Sequence, residues 1–434
     1  LNIALLWVPM TKKSKGVPEA DFEAAIEATG YGRFNALLML CCLPAFWSAV
    51  SVTSAPSYIF TQAVCDMNLR LLDMGTINAI TYGGMIASAM VWGFLSDSLG
   101  RRKFLIWGFF ASGLIELTAS MSQSFTMLLI TRFTSGFIFN GPFAVLISYI
   151  AELHRTSLRA RVILLTSLFY TIANVTLPLL AWGILVNKWD VFLYYFFLFL
   201  VIHSWNFFLL ATALVPLITG AAFVFLPESP KFLMSRGRNE EAMEVFRKIY
   251  TMNTGLPPDT FPVSEVSYIV QSRYLRSRSV ITLQDNFKIH NLLYRSNTIR
   301  LWYPQLAAMM GTHANESLCS AIVPVPVAEE EALSCTPIQT DMLTYLQSSI
   351  VGAGSVLTYS IGGALLLLFP RVMAMATFLM CGRLGTISGT VLFPALIDYG
   401  CLPPFIVVGV VLGGKHLLSI SMPNFSKIGS AVRA

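Results

Sequence analysis

The stretch GFLSDSLGRRK, residues 93–103, sets Asp97, Arg101, Arg102 and Lys103 between two runs that are almost free of charge. Gly93 and Gly100 frame it, as residues that permit a tight turn or a close helix approach. On both sides the chain is apolar for about 20 residues, enough for an α-helix to cross the 30 Å or so of hydrocarbon in a bilayer. Over the 434 residues, 55% are hydrophobic and 12% charged, and the mean hydropathy is +0.66. Those values exclude an ordinary soluble domain and indicate a multi-pass membrane protein, whose first partner is the lipid bilayer.

Outward from that turn, apolar spans are expected near residues 34–60, 74–95, 104–122, 125–150, 162–185 and 207–226. VFLYYFFLFLVIHSW, residues 191–205, is apolar too, but it reads as interfacial or re-entrant, which preserves the alternation of the spans. Basic residues follow the second span (Arg101, Arg102, Lys103), the fourth (Arg155, Arg159, Arg161) and the sixth (Lys231, Arg236, Arg238, Arg247, Lys248), while the alternate loops carry few. The positive-inside rule then assigns these turns and the N-terminus to the cytoplasm. The formal net charge of +6 is accounted for by these loops, so no nucleic-acid partner is implied.

Residues 1–33 read as a cytoplasmic segment, a fragment that opens on Leu1. Phe22, Ala25 and Ile26 share one face there, as in a short amphipathic helix at the surface. Residues 34–226 form a first bundle of six spans, and 227–299 form a polar cytoplasmic linker. Within the linker, Ala242, Val245, Phe246 and Ile249 form one face of a helix expected to lie flat under the membrane bundle. Residues 300–423 hold a second, incomplete bundle, and 424–434 a cytoplasmic tail. The seventh candidate, IRLWYPQLAAMMG, has about 13 residues and a reach of roughly 20 Å, too little to cross unaided. The run 348–370 reads as the start of one helix joined to the end of another, as in a shortened splice form or an imperfect gene model.

The order Gly93, Asp97, Gly100, Arg101, Arg102 resembles the loop signature of the major facilitator superfamily, with Ser98 where that family usually has a basic residue. Further residues carry the likeness: Arg132 in RFTSGFIFNGP, then Tyr149, Glu152 and Arg159 in YIAELHRTSLRAR, and Glu228 in the PESP sequence of residues 227–230. The short loop TQAVCDMNLRL and the late stretch from Met380 to Phe405 make the chain similar to the synaptic vesicle glycoprotein 2 group, near the organic ion transporters. The likeness covers nearly all of residues 20–228 and part of 340–428.

The resemblance implies an all-α, two-bundle helical transporter that moves a small organic solute, an organic ion among the candidates, by alternating access. It also implies residence in the plasma membrane or a secretory or synaptic vesicle membrane. Gly93, Asp97, Gly100, Arg101, Arg102, Arg132, Glu152, Arg159 and Glu228 are then expected to form a cytoplasmic gate. The alternatives are a transporter-like vesicle glycoprotein that works mainly through vesicle proteins as partners, and a truncated product with impaired transport.

Polar and aromatic residues within spans are the default pointers to a solute cavity. Here these are Trp47, Tyr82, Glu116, Asn140, Trp182 and Arg383. The loop 312–340 offers a glycosylation sequon at Asn315 and a disulfide between Cys319 and Cys335. A second sequon at Asn174 falls inside the fifth span. The five histidines form no metal-binding pattern, and no nucleophile triad, phosphate loop or carboxylate pair is present, so neither an enzyme nor a cofactor is expected.

Overall fold

The computed structural model describes residues 19–186, 203–266, 298, 300–307, 341–354, 372–397, 399, 403–404 and 406–407. Each of the six apolar spans expected in the first half is a helix: α2 (Arg33–Met67), α3 (Leu71–Leu99), α4 (Arg101–Ser120), α5 (Phe125–Glu152), α6 (Thr156–Leu185) and α7 (Ser204–Phe223). α1 (Phe22–Ala28) precedes them. α8 (Pro230–Ser235), α9 (Asn239–Thr254) and α10 (Val372–Ile397) follow. Four of these helices, α2, α5, α6 and α7, are long and apolar enough to cross a membrane. The first turn of α4 carries Arg101, Arg102 and Lys103, which dilutes its apolar run.

Close packing uses small residues where two helices cross. A Cβ on Gly136 of α5 would strike the Thr81 carbonyl of α3, and one on Gly84 of α3 would strike the Phe133 carbonyl of α5. The helices meet along glycines because apolar side chains gain little over lipid, whereas backbone proximity gains dispersion. α4 lies between α5 and α7, α2 packs on α6 and α7, and α10 packs on the face of α3. The large buried side chains fall into two clusters. One, at the end that carries the basic turns (the basic end), includes Phe46, Phe109, Phe139, Tyr149 and Phe223. The other, toward the far end, includes Tyr58, Trp205, Phe208, Trp302 and Tyr345.

A third, smaller core sits at the basic end. Phe22, Ala25 and Ile26 of α1 are buried, as their spacing predicts, but protein covers them: Phe246, Met243 and Ala242 of α9 with Phe261 and Val266. The linker helix buries Ala242, Phe246 and Ile249 as expected, with Val245 partly covered, and it runs on to Thr254. β1 (Glu19–Ala20) and β2 (Glu265–Val266) add a two-residue parallel ladder between the N-terminal segment and the linker. Asn253 locks this cap to α2, since its Oδ1 accepts from the Phe34 amide at 3.0 Å and its Nδ2 donates to the Thr29 carbonyl at 3.1 Å. In the second half, residues 300–307 and 342–354 are helical, so the described part of the latter helix begins before residue 348. Residues 355–370, which hold the expected junction, and 191–202 of the interfacial stretch lie outside the described residues.

Candidate functional site

α3 stops at Leu99 because Gly100 adopts φ +88°, outside the range most L-residues tolerate. A Cβ there would also stand 2.8 Å from Glu228 Oε2 and 3.0 Å from the Phe232 ring. Glu228 Oε1 accepts from the backbone N–H groups of Arg101 (2.8 Å), Arg102 (2.9 Å) and Ser229 (3.0 Å). A carboxylate at the start of α4 satisfies amides that a helix terminus leaves unpaired and complements its dipole. The PESP turn is thereby pinned to α4, and Arg102 adds a second tie by donating to the Val224 carbonyl at 2.6 Å.

The Arg101 side chain reaches Glu152 at 3.5 Å and lies over the Phe232 ring, 5.4 Å from its centroid. Glu152 also accepts from Ser229 Oγ at 2.6 Å, and the Tyr149 hydroxyl donates to the Pro227 carbonyl at 2.5 Å. Arg159 donates to the Ala151 and His154 carbonyls at 2.8 and 3.0 Å, capping the end of α5, and pairs with Glu23 of α1 at 2.9 Å. Buried His154 shares a 2.7 Å hydrogen bond with the Ile150 carbonyl; burial, reinforced by the Arg159 charge, pushes its pKa down. Arg101, Arg102, Glu152, Arg159, Glu228 and Gly100 thus lie at one end, linking α1, α4, α5, α7 and the PESP turn.

Three expected gate residues stand differently. Asp97 is in the last turn of α3, with its side chain outside the described residues. Gly93 is exposed, and a Cβ there would meet nothing within 4 Å, so it marks no close helix approach. Arg132 is not at the basic end at all. It lies 20 residues before Glu152 on α5, about 30 Å away along the axis. There its Nη2 donates to Glu116 Oε2 at 2.6 Å, and Ser135 Oγ donates to Glu116 Oε1. The two side chains are 0% and 3% exposed, so Glu116 is a buried partner between α4 and α5 rather than a cavity residue.

The remaining interior candidates divide into two groups. Trp47 Nε1 donates to Thr176 Oγ1 at 2.9 Å between α2 and α6, and Trp182 packs in the far-end cluster. Asn140 and Arg383 meet near mid-span, and Tyr82 is buried on α3, three residues before Met85. Arg383 of α10 donates to Asn140 Oδ1 at 2.5 Å and to the Met85 carbonyl at 3.4 Å. Asn140 Nδ2 donates to the same carbonyl at 2.8 Å and to Ser88 Oγ at 3.2 Å. Arg300, absent from the sequence reading, donates to Asn174 Oδ1 at 2.5 Å, and Asn174, the acceptor residue of the second sequon, is buried as its place in a span requires. Asn315, Cys319 and Cys335 lie outside the described residues. Cys65, in the last turn of α2, is disulfide-bonded, which the sequence reading did not include.

The family model "Sugar (and other) transporter" matches residues 33–290. Mouse synaptic vesicle glycoprotein 2C is 27% identical over 250 residues, covering 57% of this chain and 34% of its own. Rat synaptic vesicle glycoprotein 2B is 26% identical over 309 residues, covering 70% of this chain and 44% of its own. The chain therefore spans less than half the length of these relatives. Among solved structures, the xylose transporter XylE of E. coli, partially occluded and inward open, superposes with a TM-score of 0.56 at 15% identity, over 93% of this chain and 99% of that one. A bacterial homologue of the human lysosomal transporter Spinster gives a TM-score of 0.51 at 11% identity, over 84% of this chain and 82% of that one. The fold is that of a major facilitator transporter, a multi-pass integral membrane protein. Since the family model covers more than half of its length, the chain belongs to the sugar (and other) transporter family, which comprises transporters rather than enzymes.

Proposed function

We propose that this protein is a carrier that moves a small organic solute across a membrane by alternating access. The observation that carries the reading is the basic-end network, in which Glu228 caps α4 while Arg101 and Glu152 join α4 to α5. Such a network forms and breaks as a unit, and a rocking bundle needs a latch of that kind. In this reading residues 34–226 are one rocking bundle, 300–423 the other and 227–299 their cytoplasmic linker. Gly100, Arg101, Arg102, Glu152, Arg159, Glu228 and Asp97 serve the cytoplasmic gate. Asn140, Tyr82 and Arg383 line the solute path, with Trp47 and Trp182 shaping its wall.

The similarity to synaptic vesicle glycoproteins supports a second reading, residence in a vesicle membrane with vesicle proteins as partners. Flux separates the two. In proteoliposomes, a carrier gives saturable uptake of one member of a panel of organic cations, organic anions and sugars, and Arg101→Ala or Asp97→Asn lowers it at least about tenfold. Folded protein that takes up no member of the panel, yet holds a vesicle protein through purification, supports the second reading.

A further inference from the structure

Cys65 sits in the last turn of α2, at the end away from the basic turns, and it is disulfide-bonded. The chain has seven cysteines, at 41, 42, 65, 319, 335, 381 and 401. Cys41 and Cys42 are free thiols. Elimination leaves Cys319, Cys335, Cys381 and Cys401, and all four come after the linker, in the second half of the sequence. The bond therefore reaches out of the first six spans.

Packing around the end of α2 agrees with that direction. Within the first bundle this end is already fastened, since Gln62 Nε2 donates to the Leu185 carbonyl of α6 at 2.6 Å and Trp205 Nε1 of α7 donates to Asp66 Oδ2 at 2.7 Å. Tyr58 precedes Cys65 by seven residues, which puts the two on nearly the same face of the helix. Tyr58 stacks on Tyr345 of the helical stretch 342–354, with ring centroids 6.4 Å apart. The face of α2 that carries Cys65 is thus the one turned toward the second half.

We propose that the Cys65 disulfide is a redox-set tether between the two halves, at the end away from the basic turns. The two Cα atoms of a disulfide stand about 4.4–6.8 Å apart, so the end of α2 cannot part from its partner segment while the bond lasts. A dithiol reductant releases it: two electrons and two protons turn the S–S bond into two thiols, and the reductant closes into a cyclic disulfide. Such bonds persist outside the cytoplasm, the side to which the positive-inside rule assigns this end. Cys41 and Cys42 lie about 35 Å back along the same helix, toward the basic end, and stay reduced. The consequence for opening of that end rests on the carrier reading, whereas the bond itself does not.

The test inserts a specific protease site between Gly255 and Leu256, in the exposed turn after α9, in the full-length protein in nanodiscs. After cleavage, a denaturing gel without reductant is expected to show one species of intact mass, which dithiothreitol splits into two pieces. Cys65→Ser should give two pieces in either case. Should that variant fail to fold, a mass-spectrometric peptide map of the unreduced parent serves in its place, with the Cys65 peptide joined to one from beyond residue 300. In the uncut protein, dithiothreitol should speed amide hydrogen exchange over residues 61–73 at least about fivefold and leave the Arg101 and Arg102 amides unchanged. Two pieces from the parent without reductant overturn the link between the halves. Exchange over 61–73 that reduction does not alter overturns the tether. Neither readout uses flux, so a folded protein that moves no solute defeats the carrier reading and leaves this inference standing.

Discussion

Two arginine–carboxylate pairs hold the same helices, α4 and α5, at opposite ends, and their surroundings differ. Glu116 and Arg132 are enclosed, with side chains 3% and 0% exposed, whereas Arg101 and Glu152 are 19% and 11% exposed and share their partners with backbone and hydroxyl groups. A sealed pair cannot open without leaving a bare charge in a dry interior, so it acts as a fixed brace. A pair at the rim can exchange its partners for water, so it can work as a latch. Identical chemistry at two depths differs in its cost of separation.

Breaking the brace has the largest expected effect. Glu116→Ala strands the Arg132 charge and should lower stability by about 3–5 kcal/mol, read as a drop in melting temperature in detergent. If that variant melts like the parent, the pair is not the enclosed brace that its geometry describes. At the other end, Glu228→Ala removes one acceptor shared by three amides and should cost about 2 kcal/mol. It should also loosen the PESP turn, which faster hydrogen exchange of the Arg101 and Arg102 amides reports. A loss as large as that of Glu116→Ala would erase the distinction between latch and brace.

The smallest effect sharpens the comparison with pH. Burial holds the His154 pKa below the usual value near 6.5, so its neutral form favours the folded state. Its contribution is present in full above that value and is lost as pH falls through the lower folded value. His154→Gln should therefore flatten part of the loss of thermal stability on acidification from pH 7.5. Identical pH profiles for parent and variant would mean that the rim beside Arg159 is wetter than the described packing.

The helices were legible because each needs a long apolar run, and the basic turns punctuate those runs. Periodicity also found α1 and α9, since Phe22, Ala25 and Ile26 in one and Ala242, Phe246 and Ile249 in the other recur on a single face. It did not reveal that the two faces cover each other, because an amphipathic stripe does not say whether protein or membrane lies against it. Motif order places Arg132 at the gate, although counting along the helices points elsewhere. It follows Phe125 by seven residues while Glu116 precedes Ser120 by four, so the antiparallel pair brings both to similar depth. Glu228 is acidic in sequence, but its capping of α4 arises across 126 residues of chain and has no local sign. Arg300 was missed because its span is short, and its partner Asn174 resembled a stray sequon.

A cytoplasmic gate at the basic end requires α2 to α7 to cross the bilayer in alternation, with every basic turn on one side. Impermeant maleimide labelling of Ser157→Cys, beside the basic turn before α6, and of Arg70→Cys, in the loop before α3, tests this in sealed vesicles of known orientation. The prediction is that the two sites label from opposite sides, Ser157→Cys from the cytoplasmic one. Labelling of both from the same side would contradict the threading and, with it, the gate.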